Sequence, residues 1–117
     1  MEFRYEQLRV GEAVLEYVDE VFKITATFPD NERYGLTTQI RRAAVSVYLN
    51  TAEGSARKTK REFSRFLTIA LGSLVETDAA FTIALRQKYI SLEQRKEIRN
   101  ITEQIWVSLC ALRKSQL

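Results

Sequence analysis

The chain has 117 residues, a formal net charge of +3, one cysteine and no histidine. That length suits one domain, taken as residues 1–117, and four Gly and one Pro are too few for the frequent turns of an all-β protein. The missing histidine removes the commonest general base and metal ligand. Cys110, alone, excludes an internal disulfide framework and a cysteine-built zinc cluster.

The N-terminal MEFRYEQLRVGE is charged and has no signal-peptide core. The first helix is expected over about Tyr5–Thr27. Val10, Val14, Tyr17, Val18, Val21 and Ile24 form one apolar stripe, with Glu12, Glu16, Asp19, Glu20 and Lys23 opposite. Phe28-Pro29-Asp30-Asn31 ends it, because Pro disfavours helix in the residue before it and Asp-Asn favours a turn. A second helix is expected from Gly35–Thr37 to Glu53, with Gly54 as a left-handed stop.

Thr59-Lys60-Arg61-Glu62 reads as a capping box that opens a third helix running to about Lys88. In it, 14 of the 23 residues from Phe63 to Leu85 are apolar or alanine, more than the roughly 3/7 a bundle helix needs. Either this helix is central or part of its outer face meets another subunit. Ile69, Ala80 and Ile83, with Trp106 on the fourth helix, are the candidate oligomer-interface residues. Glu76 and Asp78 interrupt the most apolar stretch, so no membrane span is expected. A second capping box, Ser91-Leu92-Glu93-Gln94, opens the fourth helix, whose stripe is Ile98, Ile101, Ile105, Leu109 and Leu112. Short connections between long helices predict an all-α fold, an antiparallel up-down-up-down four-helix bundle. A reducing, cytoplasmic setting is expected.

The chemistry points away from catalysis. No nucleophile has a histidine to activate it, Cys110 reads as a small buried hydrophobe, and Glu76 and Asp78 project in different directions. Neither an enzyme nor a cofactor or metal is expected. Charge is the informative feature. Residues 1–32 hold three Lys/Arg and eight Asp/Glu, whereas residues 33–65 hold eight and two. Arg57, Lys58, Lys60, Arg61 and Arg65 bracket the start of the third helix, with Arg41 and Arg42 as secondary contributors. Cations there oppose the helix macrodipole, so helix stability does not favour them. The same place suits an anion. Phosphate contact to nucleic acid, weakly sequence-specific and salt-sensitive, is the functional reading; a solvated basic surface is the other. Tyr48 and Tyr89 either stack on bases or pack at helix ends.

The run Phe28–Val47, the loop Asn50-Thr51-Ala52-Glu53-Gly54-Ser55-Ala56-Arg57-Lys58-Thr59-Lys60-Arg61-Glu62-Phe63 and the segment Phe66–Glu76 resemble the four-helix-bundle proteins encoded by 23S rRNA intervening sequences. The resemblance spans about residues 8–112. It implies an antiparallel four-helix bundle that assembles as a homopentameric ring with a central channel. It also implies a nucleic-acid partner, RNA before DNA, because the accessory proteins of diversity-generating retroelements are similar in fold and work with a reverse transcriptase. Where family members often carry Pro, this chain has Tyr48-Leu49, so a straighter second helix is expected. The reading is a non-enzymatic, oligomeric nucleic-acid-binding bundle. Its alternative is a protein–protein scaffold for a polymerase or reverse transcriptase, without nucleic-acid contact.

Overall fold

Apolar residues at three- and four-residue steps become four helices in the computed structural model, which covers Met1–Leu117. They are α1 (Arg9–Thr25), α2 (Leu36–Ser55), α3 (Lys60–Arg86) and α4 (Leu92–Lys114). The first helix is shorter than its periodicity suggests. Arg4–Gln7 forms a separate 3-10 turn and Leu8 is extended, while Tyr5 packs edge-on to Tyr48, 6.0 Å between centroids. At its other end, the Thr25 and Thr27 hydroxyls donate to carbonyls one turn back, which helps close the helix.

The turn to α2 is held by Glu32. Its carboxylate accepts from the Leu36 amide at 3.2 Å and from the Tyr89 hydroxyl at 2.7 Å. The Tyr89 bond first, then the Leu36 bond, hold the Glu32 carboxyl below its ordinary range. The Tyr89 hydroxyl is raised by the same bond. Tyr89 also packs on Phe28, so it belongs to this end of the bundle.

The α2 helix runs unbroken through Tyr48-Leu49, and Gly54 is not its left-handed stop. Gly54 is helical, and no glycine has positive φ. Its role is a close approach: a Cβ there would meet Phe66 Cβ at 2.6 Å and Phe63 Cδ1 at 2.9 Å. The left-handed residue is Lys88, at φ 65°, just past the end of α3. The cap of α3 is half the expected box. Thr59 Oγ1 accepts from the Glu62 amide at 3.1 Å, and Glu62 makes no return bond. The Ser91–Gln94 box of α4 is complete.

Each helix packs on its sequence neighbours, and α1 also meets α4. Cross-helix partners run in opposite order, as in antiparallel pairs: Gln39 with Glu76 and Ser46 with Ser73 between α2 and α3, Asp78 with Arg95 and Thr68 with Arg113 between α3 and α4. The body measures 44 × 24 × 21 Å. Its core holds Val14, Tyr17, Ile40, Phe63, Leu67, Leu74, Phe81, Ile98, Ile105 and Leu109. Helix α3 is long and apolar enough to cross a membrane by composition, and ten of its side chains pack inside the bundle.

The polar groups inside are paired. Buried Arg95 donates to both carboxylate oxygens of Asp78, at 3.0 and 3.1 Å, and Arg99 adds a third bond to that carboxylate. Tyr17 Oη lies 3.1 Å from Thr102 Oγ1. No buried side-chain nitrogen or oxygen lacks a partner.

Candidate nucleic-acid interface

The connection between α2 and α3 is four residues long, Ala56–Thr59. Arg57 and Lys58 project from it, Lys60 and Arg61 occupy the first turn of α3, and Arg65 stands one turn further on. All five are exposed. Arg57 is partly neutralised by Glu53, 2.6 Å away. Lys58, Lys60, Arg61 and Arg65 form no ion pair. Arg57 and Arg65 both lie against the Phe66 ring, with guanidinium carbons 4.8 and 5.0 Å from its centroid. The Lys60 and Arg61 amides find no acceptor within the protein, as expected for the first turn of a helix. Backbone donors and exposed cations therefore open onto the same solvent region.

Chain order conceals three further cations here. Arg113 and Lys114 close α4, and Arg113 reaches Thr68 Oγ1 at 3.4 Å. Arg4 lies over the Phe63 ring at 5.1 Å and donates to the Ser55 carbonyl at 3.5 Å. Residues 1–32 are net acidic, so sequence averaging hides Arg4; only the fold brings it to the end of α2.

Arg41 and Arg42 do not belong to this cluster. They sit near the start of α2, with Arg41 about 21 Å of helix axis from the helix end at Ser55 at 1.5 Å per residue. Arg41 is engaged there: its Nε donates to Thr25 Oγ1 at 2.9 Å, its Nη2 donates to the Phe22 carbonyl, and it stacks on the Phe22 ring. It therefore serves the C-terminal end of α1, where a cation is favoured. Arg42 is exposed and alone. Tyr48 is half-buried against Tyr5.

The candidate interface residues divide. Ile69, Ile83 and Trp106 are exposed, Ile83 to 52%. Ala80 is 5% exposed and packs in the core, because it lies on the inward side of α3. Cys110 is a half-buried free thiol. Exposed Val75 (53%) and Val107 (66%) add apolar surface that the sequence pattern does not single out.

No curated protein matches the chain. Among solved structures it is similar to a crystal structure of a protein of unknown function from the S23 ribosomal protein family of Bacteroides thetaiotaomicron VPI-5482. Identity is 25% and the TM-score 0.79, over 90% of this chain and 98% of that one. The profile of the 23S rRNA-intervening sequence proteins matches residues 6–110. That match starts before α1 and ends in the last turns of α4, so it takes in α1, α2 and α3 whole and most of α4: the chain belongs to the 23S rRNA-intervening sequence protein family.

Proposed function

We propose that the protein is a non-enzymatic, self-assembling nucleic-acid-binding bundle that grips the phosphates of RNA through the basic end of α3. The observation that carries this reading is the cluster Lys58, Lys60, Arg61 and Arg65, exposed and without carboxylate partners at a helix N-terminus. Arg57, Arg4, Arg113 and Lys114 extend the positive field. RNA is preferred over DNA because the family name ties these proteins to an rRNA intervening sequence. A pentameric ring is the proposed assembly. It repeats one modest patch around an axis and so raises avidity without new contact types.

The experiment is a binding titration of single-stranded RNA at several salt concentrations. Affinity falls as salt rises, with a slope of roughly −0.7 per neutralised phosphate on single strands. The combined substitution Arg57→Ala, Lys58→Ala and Arg61→Ala flattens that slope by roughly 2. An affinity indifferent to salt, or unchanged in the triple variant, overturns the assignment.

The exposed apolar residues Val75, Ile83, Trp106 and Val107 favour a second reading, a scaffold for a polymerase or reverse transcriptase. A partner polymerase that stays bound after nuclease treatment selects it.

A further inference from the structure

The basic end carries aromatic rings as well as charge. Arg4–Gln7 forms a 3-10 turn ahead of α1. Arg4 ties this N-terminal arm to the end of α2, through its bond to the Ser55 carbonyl and its place over the Phe63 ring. Phe63 and Phe66 both close on Gly54, so Arg4 on the first ring and Arg57 and Arg65 on the second flank one aromatic pair. The residues on either side of Arg4 are aromatic and stacked on each other: the Phe3 and Tyr5 rings lie 6.1 Å apart between centroids and 15° from parallel. Tyr48 of α2 backs Tyr5 edge-on. Phe3, at the free end of this series, is 55% exposed.

The core does not account for these rings. The 3-10 turn buries no residue, and of the three rings only Tyr48 packs against the core. Other exposed aromatic side chains are placed differently. Phe22 is covered by the Arg41 guanidinium, and Tyr34 lies in the α1–α2 connection, at the opposite end of the bundle. Trp106 borders the carboxylates of Asp78 and Glu103, which repel phosphate. Phe3 is the exposed ring that stands beside the loop cations.

We propose that Phe3 and Tyr5 form a stacking platform for the bases of a single-stranded RNA whose phosphates lie on the loop cations. A flat ring backed by a second, offset ring offers a base its π face without choosing among the four bases. Bases in an A-form duplex are closed inside the helix, so the platform selects a single strand. Glu2, bonded to Gln7 at 2.8 Å, and Glu6 are on the same arm and in no ion pair. They repel phosphate, so the backbone keeps to the loop side and the arm takes base faces only. This inference rests on the phosphate contact proposed above and adds the strand type and the residues that read it.

The experiment uses the full-length protein with a free N-terminus, in anisotropy titrations against three RNA probes of equal length: an oligouridine strand, the same strand made abasic throughout, and a blunt duplex. Wild type binds the intact strand about tenfold more tightly than the abasic one, within the range of a single stacked base. Phe3→Ala removes that advantage, leaves the abasic strand and the duplex within about twofold of wild type, and keeps the salt slope, because no charge is lost. Phe3→Leu retains apolar packing on Tyr5, loses the π face and behaves like Phe3→Ala; Phe3→Trp restores wild-type binding. Circular dichroism and the melting temperature stay at wild-type values, and Phe3→Leu carries the test should Phe3→Ala fold poorly. Equal wild-type affinity for intact and abasic strands, or full affinity in Phe3→Leu, overturns the platform while a salt-dependent phosphate contact stands. Equal weakening on all three probes, or a shallower salt slope, makes Phe3 a mere seat for Arg4 and also overturns it. A wild type that binds none of the probes overturns this proposal and the phosphate reading together.

Discussion

Tyr17 is fully buried beside Thr102. Burial pushes its hydroxyl from the ordinary 10.0 up to about 12, against a smaller lowering by the Thr102 bond. The unfolded chain gives up this proton near pH 10, and the folded chain holds it to about pH 12. Stability is therefore full below pH 10 and falls as pH rises through that window. At about 1.4 kcal/mol per unit, the loss approaches 3 kcal/mol. Urea unfolding across pH 9–12 should show wild type losing about that much more than Tyr17→Phe. Parallel losses would mean that the buried hydroxyl ionises as freely as an exposed one.

The approach of α2 to α3 rests on the missing side chain at Gly54. A methyl group there gains about 1 kcal/mol of helix propensity. It also collides with Phe66 Cβ, which cannot swing away as a side-chain tip can, and overpacking of this kind costs about 1–3 kcal/mol. Gly54→Ala should lower stability by about 1 kcal/mol in thermal or urea unfolding; a variant more stable than wild type would show that the helices part without cost. The same glycine marks the limit of sequence reading. Gly after Glu53 has the pattern of a helix stop, and what overrides it is a tertiary contact with residues nine and twelve positions later. Helix number, order and most of the core stripes are legible, because a 3.6-residue period survives without a partner in view. The five loop cations are legible too, since they are neighbours in the chain. Arg4 and Arg113 are not, nor is the capture of Arg41 by Phe22 and Thr25, because only helix packing decides which distant side chains meet. The burial of Ala80 is not legible for a related reason: the composition of α3 reports an apolar excess but not which side faces inward.

At the level of the molecule, charge is segregated. Carboxylates crowd the outer face of α1, and cations gather at the α2–α3 end. In the proposed ring each subunit contributes one such basic end. A variant that no longer self-assembles but keeps these cations should bind an oligonucleotide long enough for one patch as wild type does, and bind a long strand about 100-fold more weakly, since the gain from linked sites lies in roughly that range. Fluorescence anisotropy with the two lengths measures this. Equal weakening on both would mean that linking the sites adds nothing.

Phe66 gives the basic end a property beyond charge. Two guanidinium groups already rest against its nearly buried ring, at 4.8 and 5.0 Å. A free arginine side chain holds about 2 kcal/mol of rotamer entropy that a ligand would have to freeze out. Here much of that torsional freedom is gone before any ligand arrives, so in the proposed phosphate contact Arg57 and Arg65 would give back less of the energy as lost motion.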